Sequence, residues 1–276
     1  MKVLDKDKYG KLIEPIKQVT FNTLFAEAVI EHKISGEIFV DDIDKPQTYY
    51  IVHPYGMTLL FGNSNNEDFN SDFRNYSLNR NNIRNKHEWM QAFPNTWDNV
   101  LPKLFGDTLV TSSDNKESQE TGIIELNTRV NFEFNKENFL RFKESIIDSD
   151  IKIVRTDRQV FREMPGSVVP SYFWETEDDF LNNGVGFSLY YKGKLASTAY
   201  SSCINDSQLE FGIETVPEYR SKGFAKYVCQ ALIDYCIENK YEPIWACRLE
   251  NIGSYKLAQK VGFTPTIELP FYRLSK

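Results

Sequence analysis

Val216-Pro217-Glu218-Tyr219-Arg220-Ser221-Lys222-Gly223-Phe224-Ala225 joins two hydrophobic patterns of different period. Upstream, between Leu209 and Val216, the apolar residues Leu209, Phe211 and Ile213 recur at every second position, which predicts a strand. Downstream, Ala225, Val228, Cys229, Leu232, Ile233, Cys236 and Ile237 share one face of a helix. Gly223 has no Cβ, so a ligand can approach the backbone there. The N–H groups that open the helix have no intrahelical partner and carry the positive end of its dipole. This joint therefore predicts an anion site suited to a phosphate or pyrophosphate. Its spacing is neither the Gly-x-x-x-x-Gly-Lys-Ser/Thr of a nucleotide loop nor the Gly-x-Gly-x-x-Gly of a dinucleotide fold.

Working outward, Pro243 to Cys247 reads as the next strand, and Asn251-Ile252-Gly253-Ser254 opens a helix ending at Val261-Gly262-Phe263. Before the joint, Phe187–Tyr191, Leu195–Ser202 and Leu209–Val216 read as three antiparallel strands, with turns at Lys192-Gly193-Lys194 and Asn205-Asp206-Ser207. Arg155 to Met164 reads as a short helix. The Pro-flanked loop after it carries Tyr172, Phe173 and Trp174, which suit either core packing or a pocket wall.

Together these residues resemble the GNAT superfamily of acetyl-coenzyme A N-acetyltransferases, whose signature is Arg/Gln-x-x-Gly-x-Gly/Ala between strand and helix, followed by the Asn, helix and Gly-Phe seen here. The resemblance covers roughly residues 150 to 276. The runs Pro170–Trp174, Gly184-Val185-Gly186-Phe187 and Trp245-Ala246-Cys247 are similar to the branch that includes zwittermicin-resistance-type enzymes. The resemblance implies an α/β (α+β) fold with a mixed, mostly antiparallel sheet flanked by helices. It also implies acetyl-CoA as cofactor and a small-molecule amine as acceptor, attacked directly.

On that resemblance, Arg220, Lys222, Gly223, Phe224 and Ala225 would cradle the pyrophosphate, and the backbone N–H of Val216 would meet the developing oxyanion. Asn251 would contact the pantetheine arm or cap its helix, and capping alone explains it. Amine attack also needs a proton acceptor. Glu210 and Glu214 share strand parity with Val216, and Glu210 matches the position of the strand glutamate that one branch uses as base. Glu210 reads equally as a substrate-ammonium anchor, and Trp174 as a substrate-pocket wall. Many relatives carry a Tyr where this chain has Ala258, leaving Tyr255 as the candidate general acid. No metal site is expected.

Composition fits this reading. A chain of 276 residues suits two domains, and 41% apolar residues with 14% aromatics can build cores. The net charge of -7 argues against nucleic acid or an anionic membrane as partner. Met1-Lys2-Val3-Leu4-Asp5-Lys6-Asp7 lacks the pattern of a secretory signal, so a cytoplasmic setting with four reduced cysteines is expected. The three histidines, His32, His53 and His87, all precede residue 136, so no His-based triad is available beyond it.

In the first half, Val19–His32 reads as an amphipathic helix, and Gly36–Asp42, Thr48–Val52 and Met57–Phe61 as strands. The Asn-rich Asn63–Asn99 reads as helices and loops, Thr111–Thr121 as a polar loop, Ile123–Phe134 as strands and Lys136–Ile147 as a helix. The expected organisation is a degenerate GNAT-like domain over 1–135 and the catalytic domain over 136–276. Two rivals remain: a non-catalytic acetyl-CoA-binding sensor, and an aminoacyl transferase with tandem GNAT-like domains.

Overall fold

The computed structural model describes residues 1–111 and 122–276. The polar loop expected over Thr111–Thr121 lies, apart from Thr111, outside the described residues. The chain forms two compact units, one made of Met1–Val130, Arg248–Glu250 and Ile267–Lys276, the other of Asn131–Cys247 and Asn251–Thr266.

The first unit opens with β1 (Lys2–Val3), α1 (Ile13–Ile16) and α2 (Leu24–Ile30). Strands β2 (Glu37–Val40), β3 (Thr48–Val52) and β4 (Met57–Gly62) then run antiparallel in sequence order. Helix α3 (Glu67–Ser77) returns the chain to β5 (Glu88–Phe93), which lies parallel to β4. After α4 (Trp97–Phe105) come β6 (Leu109–Thr111) and its parallel neighbour β7 (Ile124–Phe134). The C-terminal residues Tyr272–Leu274 pair antiparallel with β5. One side of these strands builds an aromatic core of Tyr50, Phe69, Phe73, Trp97, Phe105 and Tyr272.

The buried carboxylate of Glu88 enters that core because two hydroxyls meet it, from Tyr50 at 2.5 Å and Tyr76 at 2.7 Å. Strand β5 was absent from the sequence reading. Trp89, Met90 and Gln91 break the alternation, and the strand exists because β4 and Tyr272–Leu274 pair with it from far along the chain.

The second unit has the same order of parts. After α5 (Lys136–Phe142), β8 (Ile151–Arg155), α6 (Arg158–Glu163) and α7 (Glu177–Asn183) come β9 (Gly186–Tyr191), β10 (Lys194–Ile204) and β11 (Gln208–Thr215). These four strands run antiparallel in the order β8-β9-β10-β11. Helix α8 (Phe224–Asn239) packs across β9, β10 and β11 and leads to β12 (Glu242–Arg248), parallel to β11. Helix α9 (Ile252–Lys260) and β13 (Phe263–Leu274) close the chain.

Helix α8 buries Val228, Cys229, Leu232, Ile233 and Cys236 as its spacing requires. The helix expected over Arg155–Met164 is shorter, because Ile151–Arg155 is taken into the sheet beside β9. The fold is thus α/β, with mixed, mostly antiparallel sheet and flanking helices.

His53, in the β3–β4 turn, is fully buried, and its Nδ1 accepts the Tyr55 N–H at 3.0 Å. Burial, with the Lys86 ammonium adding to it, pushes its imidazole down to about 3. The unfolded chain therefore takes up a proton below pH 6.5 that the folded chain refuses. Stability from this site is complete above that pH and is lost as pH falls toward 3. We expect about 2–3 kcal/mol less stability at about pH 4.5 than at neutrality, and a flatter profile for His53→Asn, in urea unfolding across that range.

Candidate active site

The site begins where β11 and β12 part. Their parallel ladder pairs Gln208, Leu209 and Glu210 with Glu242, Pro243 and Ile244. Both strands then continue, β11 to Thr215 and β12 through Cys247. On its other side β11 stays paired with β10 along Leu209–Thr215. N–H groups of an antiparallel strand alternate between its two neighbours. The Val216 N–H donates to the Ala196 carbonyl at 3.0 Å, so Glu214 and Gly212 also face β10, while Phe211, Ile213 and Thr215 face the side β12 has left.

This corrects the reading of Val216 as oxyanion donor, because its N–H is already committed. The Thr215 N–H is taken by Glu214 Oε1 at 3.1 Å, and the Thr215 carbonyl by Arg220 Nε at 3.1 Å. Beyond the Glu210–Ile244 pairing, the backbone groups left along the opening are the Phe211 carbonyl and the N–H and carbonyl of Ile213.

The loop beyond Val216 folds over an aromatic base. The Tyr219 ring lies 6.3 Å from Tyr191 and 6.1 Å from Phe224, and those two are 5.0 Å apart. The backbone enters the left-handed region at Ser221 (φ 62°) and again at Gly223 (φ 83°). Gly223 is the N-cap of α8, and no side chain caps the helix. The space outside Gly223 is open: an added Cβ would meet nothing within 4 Å.

Lys226 N–H bonds back to the Gly223 carbonyl at 3.1 Å, leaving the N–H groups of Phe224 and Ala225 at the mouth of the helix. The Lys222 ammonium sits 5.0 Å from the centre of the Tyr219 ring, and Lys226 pairs with Glu144. Arg220 is 58% exposed, and it fastens the loop through Thr215 and through Glu214 Oε1 at 3.2 Å.

The two glutamates of β11 differ. Glu214 is a fastener: Oε2 accepts the N–H groups of Ser167 at 2.9 Å and Val168 at 3.2 Å, and Oε1 receives Thr215 N–H and Arg220. Gly166 (φ +151°) packs so tightly on it that a Cβ would lie 2.4 Å from Glu214 Cγ. With both oxygens occupied, Glu214 holds the Gly166–Val168 turn.

Glu210 is equally buried but sits beside a bulge in β10, where Ser201 pairs Phe211, Cys203 pairs Glu210 and Ser202 is the extra residue. Because the bulge is in β10, the alternation of β11 survives, and Glu210, Gly212 and Glu214 share a face. That face is more buried than the one bearing Phe211 and Ile213, the reverse of what the apolar pattern suggested. The opening toward β12 leaves the apolar positions half-exposed.

The sequence reading missed Tyr200. Its ring occupies the space over Gly212, where a Cβ would come within 2.3 Å of Cζ, and so lies between the two glutamates. A glycine inside a strand is the signal that could have pointed to it. Trp174 is turned inward: its Nε1 donates to the Ser201 carbonyl at 2.7 Å and its ring meets Phe180 edge-on. It fixes the loop to β10 more than it lines an open wall.

Asn251 caps α9, accepting the Ser254 N–H at 3.2 Å. Tyr255 packs edge-on to Phe132 at 5.3 Å, and Ala258 is fully buried. Cys203 and Cys247 are buried and form no disulfide. Among the described residues no group of three or more His, Cys, Asp or Glu could hold a metal, and no helix is long and apolar enough to cross a membrane.

The strand that leaves its parallel neighbour and the glycine-capped helix mouth thus follow one another along the chain. The chain belongs to the GNAT acetyltransferase family, whose sequence profile matches residues 14–272, both units and not the second alone. The uncharacterized N-acetyltransferase YdfB of Bacillus subtilis (strain 168) is 23% identical over 272 residues, which cover 98% of this chain and 97% of YdfB.

The crystal structure of a GCN5-related N-acetyltransferase-like protein from Streptococcus suis 89/1591 superposes with a TM-score of 0.69 at 18% identity, covering 97% of this chain and 99% of that one. A tandem GNAT protein from the clavulanic acid biosynthesis pathway gives 0.63 at 9% identity, covering 99% and 97%. At these identities the likeness is one of fold.

Removing the fastener tests the local geometry. Glu214→Ala leaves the Ser167 and Val168 N–H groups without an acceptor and should cost about 2–4 kcal/mol. It should also make the Gly166–Trp174 segment the first site of limited proteolysis. Unchanged cleavage kinetics would mean that other contacts hold the turn.

Proposed function

We propose that this protein transfers an acetyl group from acetyl-CoA to a primary amine of a small molecule by direct attack. The observation that carries the reading is the parting of β11 from β12 beside the uncapped mouth of α8. The open space at Gly223 fits a pyrophosphate, with the N–H groups of Phe224 and Ala225 and the charge of Lys222 toward it. The open edge from the Phe211 carbonyl through Ile213 fits an extended amide chain such as pantetheine, added as a short strand. Bound acetyl-CoA supplies an activated acyl thioester.

Of the chain's own groups, the Ile213 N–H is the one we assign to the charge developing on the acyl oxygen. Glu210 is assigned to the ammonium, as proton acceptor or anchor. Arg220 and Glu214 act through position, holding the loop on one side and the Gly166–Val168 turn on the other. Asn251 and Tyr255 keep the assignments of cofactor contact and general acid only as proposals. For the acceptor, the likeness to the zwittermicin-resistance-type branch suggests an antibiotic or amino-sugar-like amine.

The domain reading is also a proposal: residues 1–135 as a second GNAT-like copy without cofactor, 136–276 as the catalytic one. It is supported by the shared order of three antiparallel strands, a helix and a parallel strand. The equivalent joint in the first unit is closed by protein, since α3 is capped by the Asn66 side chain, which accepts the Phe69 N–H at 3.0 Å.

Gly223→Asp sets a carboxylate at the open mouth of α8 and forces a side chain into a left-handed position. It should abolish the thermal stabilisation that acetyl-CoA gives the wild type. Calorimetry of the wild type should return one coenzyme A per chain. Equal shifts in variant and wild type would remove the cofactor assignment, and two sites per chain would remove the domain reading.

Glu210→Gln separates the two roles of that residue. With an amine that supports thiol release, turnover at neutral pH should fall about 10²–10⁴-fold and recover in part as pH rises, while acetyl-CoA affinity holds. A loss confined to KM for the amine would make Glu210 the anchor.

A further inference from the structure

Between α5 and β8 of the second unit a strap of chain runs beside the mouth of α8. Residues Lys143 to Asp148 form neither helix nor strand, and every residue from Arg141 to Asp150 is exposed. The strap is nonetheless pinned. Lys143 Nζ grips both carboxylate oxygens of Asp234 on α8, at 2.7 and 2.8 Å. The next residue, Glu144, pairs with Lys226, the third residue of the same helix. At the far end a turn closes where the Ile151 N–H meets the Asp148 carbonyl at 3.1 Å, and the Lys192 N–H donates to the Asp150 carbonyl at 3.0 Å. Ile151 then enters the sheet opposite Tyr191, whose ring lies 5.0 Å from Phe224 in the aromatic base of the mouth. The strap thus passes from the body of α8 to the floor of its open end.

Glu144 stands where an anionic ligand would compete with it. A carboxylate beside the first turn of a helix meets the positive end of the dipole, which is also the end that holds a phosphate. Lys226 is a cation of that turn, its side chain 15% exposed, and Glu144 neutralises it. Glu144 is itself 61% exposed, so the pair is of the weak, solvated kind. A phosphate brings more charge and more acceptor oxygens than a carboxylate, and displaces it from a shared cation.

Two and three residues beyond Glu144 come Ile146, 40% exposed, and Ile147, 95% exposed. The Lys143–Asp234 pair and the Asp148–Ile151 turn hold the strap at both ends without Glu144. Release of Glu144 therefore frees the stretch 145–147 and leaves its ends in place. Covering part of two isoleucines then offsets the ion pair that was lost.

We infer that this strap is an ionic latch on the proposed cofactor site: Glu144 holds Lys226 as an internal competitor of the ligand's phosphates, and its release lets Ile146 and Ile147 close over the ligand's nucleoside. The inference rests on the acetyl-CoA reading above.

Titration calorimetry with coenzyme A and hydrogen exchange, both on the full chain, test it. Glu144→Gln keeps the size of the side chain and removes its charge. It should tighten coenzyme A binding about two- to fivefold, the range that a surface ion pair supports, and the gain should shrink at high ionic strength. Glu238→Gln removes the same charge at the exposed far end of α8 and should leave the affinity unchanged. Ile147→Ser should weaken binding about threefold or more. All three positions are exposed, so the melting midpoint without ligand should hold. In the wild type, coenzyme A should slow exchange at the amides of residues 145–147.

Equal affinities for Glu144→Gln and Glu238→Gln, whether both unchanged or both raised, would overturn the latch. Exchange at 145–147 that holds its rate or quickens with coenzyme A, or an Ile147→Ser variant that binds like the wild type, would overturn the closure. A wild type that binds no coenzyme A would remove the cofactor reading, and the latch with it.

Discussion

One carboxylate ties the second unit together. Glu214 receives two N–H groups from the Ser167–Val168 turn, one from its own strand at Thr215, and a guanidinium from Arg220. Each alone is an ordinary contact, but together they join the end of β11 and the loop after it to a turn 46–47 residues earlier in the chain. The turn that roofs the acidic face, the end of β11 and the loop into α8 are thereby held to a single buried point. Charge-assisted bonds at a buried position are worth more than the same pairs in water. Substitution of either partner therefore reaches beyond its own contact.

That tie also explains how a strand can abandon a neighbour without losing its course. Once β12 diverges after Ile244, β11 is supported on one edge only, by β10. Arg220, gripping the Thr215 carbonyl, and Glu214, gripping the Thr215 N–H, occupy both polar groups at the tip that the absent neighbour would have met. The unpaired stretch is thus confined to the Phe211 carbonyl and Ile213, in keeping with a binding edge and short enough not to pair with another chain.

Much of this was legible in the sequence because its causes are local. Arg220 to Ala225 marked the joint of strand and helix through a glycine and a period change, and α8 followed its apolar stripe. Strand Thr48–Val52 has the bounds read from the sequence, and Gly186–Tyr191 begins one residue before the strand expected from Phe187. What was not legible depends on partners. Strand β5 has no pattern of its own, and β13 carries Thr264, Pro265, Glu268 and Pro270 through a run that only pairing makes extended.

The direction of the Val216 N–H is set by register against Ala196, which no side-chain pattern encodes. The contrast between Glu210 and Glu214 is likewise invisible until the Gly166 turn folds back on one of them.

The two helix mouths also differ in what completes them. In the first unit Asn66 supplies a permanent acceptor from within the chain, whereas Gly223 leaves the mouth of α8 without one. Under the proposed function the halves then respond unequally to starvation. The helix mouth of the first, already filled by Asn66, has no such ligand to gain from. The second gains stability only in proportion to ligand supply, by mass action. Cellular abundance of the enzyme would accordingly track the acyl-CoA pool through degradation of its second half, with no regulator needed beyond one missing side chain.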